Sequence, residues 1–135
     1  MGKTKVLLDS NIFISALGWK GKPRVIFDKC LHGELELITS ADQLDELMRV
    51  MDYPKFTFTE EQKQTLLGII TATATVVDIP KKLNVIKEDP DDNAILETAV
   101  VGNADYIVSG DPHLLKLGEF GRIKIVTAHD FLKIV

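Results

Sequence analysis

Glu88–Leu115 reads EDPDDNAILETAVVGNADYIVSGDPHLL and holds a helix start, a helix and a strand in succession. Asp89 suits an N-cap, Pro90 the first helical position, and Asp91 and Asp92 the positive end of a helix dipole. Ala94, Ile95, Thr98, Ala99 and Val101 give that helix a side small enough to lie close against a sheet, and Gly102 stops it. Ala104–Ser109 then reads as a buried strand that ends on Ser109-Gly110-Asp111. A helix that feeds such a strand is the repeating unit of a parallel α/β sheet. In an open sheet of this kind, helix starts and strand ends share one edge, and ligands bind there. The stretch therefore brings carboxylates to a ligand-binding edge from two directions.

Outward from it, the same alternation continues. Lys5–Leu8 is a short apolar run broken by Asp9-Ser10-Asn11, and Ile12–Leu17 follows. The polar insertion predicts strand, turn, helix. Gly18–Lys22 reads as a loop, and Pro23 opens a helix whose stripe is Val25, Ile26, Phe27, Cys30 and Leu31, stopped by Gly33. Leu35–Thr39 is a second strand. Ser40 with Gln43 forms a capping box for the helix Ala41–Met51, with Leu44, Leu47, Met48 and Met51 toward the core and Asp42, Asp45, Glu46 and Arg49 elsewhere. Thr59 with Gln62 starts another helix, buried through Leu66, Leu67, Ile69 and Ile70, and Thr75–Ile79 is a third strand closed by Pro80. After the fourth strand come a helical turn at His113–Leu117, a fifth strand at Ile123–Val126 and a terminal turn or helix from Ala128. The expectation is a single domain over residues 1–135, α/β, with three α/β/α layers around a parallel sheet of about five strands and no hairpin between them.

Composition narrows the class. The 135 residues are 45% hydrophobic and 27% charged, as in ordinary globular proteins, and hold no apolar run near the ~20 residues of a membrane span. No signal peptide is visible before the first strand, and Cys30 has no second cysteine to pair with, so the expectation is a cytoplasmic protein with Cys30 a core thiol. The net charge of −4 argues against coating nucleic acid by bulk electrostatics. It leaves a nuclease open, because bound cations cancel clustered acids locally.

Asp9 and Asp111 both follow strands directly, so a parallel sheet sets both at its carboxyl edge. Asp92 lies in the first turn of the helix that leads to Asp111, and Glu46 lies two turns into the helix after the second strand. Each also has a plainer reading: Asp9, Asp92 and Asp111 as caps or turns, Glu46 as a solvated helix charge. Their joint placement is what points to chemistry. Convergent acids without histidine or cysteine suit Mg²⁺ or Mn²⁺ better than zinc, and the reaction that such a site serves best is phosphodiester hydrolysis.

Val6-Leu7-Leu8-Asp9-Ser10-Asn11-Ile12-Phe13, then Leu44-Asp45-Glu46-Leu47, Asp89-Pro90-Asp91-Asp92-Asn93-Ala94-Ile95-Leu96 and Ala104–Asp111 resemble the four acidic motifs of PIN-domain nucleases. The likeness runs on through Ile123–Thr127 and Phe131-Leu132, and is strongest to compact prokaryotic toxins (VapC-like) of toxin–antitoxin pairs. The resemblance implies strand order 3-2-1-4-5, with the first and fourth strands adjacent. It also implies a metal-dependent ribonuclease whose Mg²⁺ or Mn²⁺ is held by Asp9, Glu46, Asp92 and Asp111, with Asp45 and Asp91 as the alternatives one position away. An RNA substrate, an antitoxin partner and a homodimer belong to the same implication.

Supporting roles fall to Ser10, Asn11 and Ser109 beside the acids, and phosphate contacts to Lys20, Lys22 and Arg24, each equally readable as turn or loop chemistry. Trp19 has a base-stacking or interface reading, and His113 and His129 have no catalytic serine or cysteine to serve. A haloacid-dehalogenase phosphatase needs an aspartate where Asn11 stands. A response-regulator receiver needs an aspartate directly after the third strand and a lysine after the fifth, which Asp78 and Thr127 do not supply. Other readings are a catalytically silent module that binds RNA or protein, and a nuclease of RNA processing or quality control.

Overall fold

The computed structural model describes residues 2–18, 21–79 and 90–135, with only the backbone of 18 and 90–93. The elements are β1 (Lys5–Leu8), α1 (Ser10–Gly18), α2 (Lys22–Leu31), β2 (Glu36–Ser40), α3 (Ala41–Met51), α4 (Glu60–Thr73) and β3 (Thr75–Val77). They continue with α5 (Pro90–Val101), β4 (Tyr106–Val108), α6 (Pro112–Leu117), β5 (Glu119–Phe120), β6 (Ile123–Val126) and α7 (Ala128–Ile134).

The strands form one sheet in the order β3-β2-β1-β4-β6-β5. The five expected strands thus stand in the expected 3-2-1-4-5 order, all parallel, with β6 as the fifth. β5 was not foreseen: it pairs antiparallel with β6 through a tight turn in which Gly121 takes φ 62°. The expectation of no hairpin is corrected on that point. β3 is shorter than Thr75–Ile79 and its Val76 is exposed, as suits an edge strand. Pro80, the residue expected to close it, lies outside the described residues.

Alternation along the strands sends two sets of side chains to two cores. Val6, Leu8, Leu37 and Val108 meet α1, α2, α3, α4 and Phe131 of α7 on one face. Leu7, Ile107, Ile123 and Ile125 meet Ile95, Leu96 and Ala99 of α5 and Leu114 of α6 on the other. Each such aliphatic side chain contributes about 1.5–3 kcal/mol when fully buried. β1 lies at the centre of this arrangement; its Val6, Leu7 and Leu8 are completely buried. Cys30 lies in the first core, and burial pushes its thiol up to about 12, as a core thiol requires.

Some expected core positions turn outward. Val25, Leu31, Ile69 and Val101 are exposed, because each helix needs only one stripe against its sheet. On α5 that stripe is Ile95, Thr98 and Ala99, which puts Val101 on the far side. Gly102 continues the stripe: a Cβ there would lie 2.4 Å from Ile38 Cγ2. The left-handed residue that ends α5 is Asn103, at φ 54°, so Gly102 is required for close approach and Asn103 makes the turn. Thr98 over Ser40 and Gly102 over Ile38 fix the direction of α5. The helix runs antiparallel to β2, so its first turn lies toward the carboxyl edge of the sheet, while Ile95 and Leu96 of the second turn are already in the core.

Candidate active site at the carboxyl edge

β1 and β4 are neighbours, and the chain leaves β1 toward β2 on one side while β4 and β6 extend the other. This is a topological switch point, where an open α/β sheet offers a crevice at its carboxyl ends. Asp9 sits in it. Its backbone N–H continues the ladder to Val108 O (3.0 Å), and its carbonyl accepts the first helical bonds of α1 from Ile12 (2.9 Å) and Phe13 (3.3 Å). Asp9 as a whole is 5% exposed. Oδ1 accepts from the backbone N–H of Ser10 at 2.7 Å, and Oδ2 from the hydroxyl of Ser109 at 2.7 Å. Two donors on two oxygens fix the plane of the group, while a carboxylate offers more acceptor positions than two.

Ser109 passes the connection on. It is fully buried at the end of β4, and its Oγ accepts from the backbone N–H of Asp111 at 2.9 Å. Asp9 and the Asp111 backbone are thereby bridged through one hydroxyl. The Asp111 carboxylate caps α6: Oδ1 accepts from His113 N–H at 2.8 Å and lies 3.7 Å from His113 Nδ1. The turn-and-cap reading of Asp111 is therefore correct as far as it goes, and a cap with a second oxygen can still serve a cation.

Glu46 is half-buried with one carboxylate oxygen out of solvent, whereas Asp45 is exposed. Of the two, Glu46 faces the protein. Asp92 belongs to the first turn of α5, which lies toward the edge; its side chain, that of Asp91 and the whole of Asp89 lie outside the described residues. Among the described residues no three acids, histidines or cysteines are close enough together to hold a metal ion. What is assembled among the described residues is the Asp9–Ser109–Asp111 connection at the carboxyl edge.

The weaker candidates divide. Ser10 is buried, and its hydroxyl has no hydrogen-bond partner among the described residues. Asn11 is exposed in the first turn of α1. Lys22 Nζ lies 2.6 Å from His129 Nδ1, and Arg24 Nε pairs with Asp28 at 3.1 Å, so both cations hold neighbouring helix residues. Lys20 and Trp19 lie outside the described residues.

Sequence reasoning missed two buried polar residues. Glu97, on α5, is 5% exposed, and its Oε2 has no hydrogen-bond partner among the described residues. Gln43 was read as half of a capping box. Its backbone N–H does bond Ser40 Oγ at 3.2 Å, but its side chain turns inward to Leu8 O and Thr39, leaving the box incomplete. The signal was present in its position four residues before Leu47, on the core-facing stripe of α3.

A PIN-domain family model matches residues 5–113, which carry Asp9, Glu46, Asp92 and Asp111. The chain belongs to the PIN-domain family. It is 31% identical over 132 residues to the uncharacterized protein MJ1680 of Methanocaldococcus jannaschii, covering 94% of this chain and 84% of that one. Its fold is similar to VapBC2 from Rickettsia felis bound to a DNA fragment from their promoter, with TM-score 0.63 and 19% identity over 90% of this chain and 97% of that one. FitAcB from Neisseria gonorrhoeae gives TM-score 0.55 and 14% identity, covering 92% and 98%. Both are toxin–antitoxin complexes, and PIN domains are generally nucleases. No helix among the described residues of this PIN domain is long and apolar enough to cross a membrane.

Proposed function

We propose that this PIN domain is a divalent-metal-dependent ribonuclease that hydrolyses phosphodiester bonds at the carboxyl edge of its sheet. The observation that carries the reading is Asp9: a buried carboxylate at the switch point, oriented by Ser10 N–H and Ser109 Oγ and linked through Ser109 to Asp111. Burying a carboxylate is costly unless it is paired, hydrogen-bonded or bound to a cation. The acids reaching the edge offer oxygen donors alone, which fits Mg²⁺ or Mn²⁺. Asp9, Glu46, Asp92 and Asp111 would hold the ion.

When bound, such an ion lowers the pKa of a water and polarises the phosphoryl oxygens. The chain's own part is placement. Ser109 keeps the Asp9 carboxylate from rotating, and the cap to His113 does the same for Asp111. Glu46 and Asp92 approach from α3 and α5, so the site closes only when both halves of the chain are folded. A toxin role with an antitoxin partner, a homodimer and a cytoplasmic setting are part of the same proposal, supported by the fold's likeness to toxin–antitoxin complexes.

The test is cleavage of end-labelled structured and unstructured RNAs. Cutting in Mg²⁺ or Mn²⁺ that EDTA abolishes and added metal restores is the expected outcome. Absence of metal-dependent cutting on every RNA contradicts the proposal.

A further inference from the structure

A buried chain of side-chain hydrogen bonds runs beneath the proposed site. Thr39, Ser40, Gln43 and Thr98 are each no more than 1% exposed. Thr98 Oγ1 donates to Ala94 O at 2.7 Å, which uses its one proton. In its 2.8 Å contact with Ser40 Oγ, Thr98 must therefore accept, and the Ser40 hydroxyl donates. Ser40 Oγ in turn accepts from Gln43 N–H, and Thr39 Oγ1 donates to Gln43 Oε1 at 2.7 Å. The Gln43 amide donates from Nε2 to the carbonyl oxygen of Leu8. Its orientation is settled by that carbonyl, which can only accept.

The β1–β2 ladder ends at the pair Leu7–Ile38, although β2 continues to Ser40 beside β3. The Gln43 side chain takes the position of the next rung and holds the end of β1, one residue before Asp9. Gln43 lies three residues before Glu46 on α3, and Thr98 lies six residues after Asp92 on α5, about 9 Å along the helix. Members of one network thus lie beside Leu8, one residue before Asp9, three residues before Glu46 and six residues after Asp92.

We propose that Gln43, with Thr39, Ser40 and Thr98, is a positioning set that fixes Asp9, Glu46 and Asp92 relative to one another and so sets the affinity of the site for its cation. The inference rests on the metal-site reading above. A half-satisfied buried network is worse than none, so removing one member releases the register of the elements it joins. Residues that orient metal ligands in this way typically govern affinity by about 10–100-fold.

The experiment is Mn²⁺ titration calorimetry on the full chain, with urea unfolding of the same samples. Thr98→Val keeps the shape of the side chain but removes the hydroxyl; Gln43→Met does the same for the amide. Both should bind Mn²⁺ about 10–100-fold more weakly than wild type while unfolding cooperatively, and Thr98→Ser should restore binding. Ile70→Val, a core truncation on α4 distant from the network, should leave the dissociation constant unchanged. Wild-type affinity in Thr98→Val and Gln43→Met, or an equal loss in Ile70→Val, overturns the positioning role alone. If Gln43→Met fails to fold, the Thr98 pair decides. No Mn²⁺ binding by wild type overturns the metal-site reading and this inference with it.

Discussion

Asp9→Asn loses RNA cleavage by at least about a hundredfold, with a much smaller change in stability. The two effects separate because the substitution preserves shape and changes charge. The introduced amide can still accept from Ser10 N–H through its oxygen, but its nitrogen then faces Ser109 Oγ. Ser109 already receives the Asp111 N–H, so its own proton loses the acceptor it has in the wild type. An unsatisfied buried hydroxyl costs about 1–3 kcal/mol, which a domain of ordinary stability survives. The loss of a negative ligand removes part of the several kcal/mol that a cation supplies to the transition state, and each 1.36 kcal/mol is about tenfold in rate. Single-turnover cleavage, read beside the denaturation midpoint, checks both halves. Equal cutting by wild type and variant contradicts the assignment of Asp9, and complete unfolding shows that Asp9 is first a structural acid.

Phe13→Ala is the largest stability change expected from a single side chain behind the site. Phe13 is 1% exposed on α1, and its ring meets that of Phe27 on α2 edge to face, centroids 5.9 Å apart. Truncation removes the transfer energy of the ring, leaves a cavity between two helices and the sheet, and forfeits the aromatic pair. Together these cost about 3–5 kcal/mol. For a chain of this size the midpoint of thermal unfolding should fall by roughly 10 °C or more. Phe13 is four residues from Asp9 and donates its N–H to the Asp9 carbonyl, so activity should fall with the folded fraction and recover at lower temperature. A loss of less than about 1 kcal/mol in urea unfolding contradicts this packing account.

The sequence made the strand ends legible because polar residues interrupt the apolar runs abruptly, at Asp9-Ser10-Asn11 and at Ser109-Gly110-Asp111. Parallel pairing followed from the helices between strands. The order of the strands came from the family resemblance, since period and composition do not say which strands are neighbours. β5 escaped because two residues carry no periodic signal, and its turn glycine reads as one more loop residue. Gly102 was assigned the right place for the wrong reason: it lets α5 press on Ile38, while Asn103 makes the left-handed turn. Gln43 escaped because the Ser40-to-Gln43 spacing has a familiar local explanation. Only the tertiary structure reveals that the amide faces the core, where Leu8 lacks its next ladder partner. Glu97 gave no signal in a helix otherwise read as small and apolar.

Of the acids themselves, the sequence could name positions but not separate neighbours. In the structure Glu46 is half-buried and Asp45 exposed, because a helix turns successive residues about 100° apart. No such distinction applies to Asp91 and Asp92, whose side chains lie outside the described residues. The ligand set therefore requires observation with the ion present.

Anomalous diffraction from crystals soaked in Mn²⁺ locates the ion without reference to activity. The expected result is a peak at the carboxyl edge between β1 and β4, within coordination distance of Asp9 and of carboxylates from Glu46, Asp92 or Asp111. A fully loaded crystal with no peak there, or with manganese bound only to other acids, contradicts it.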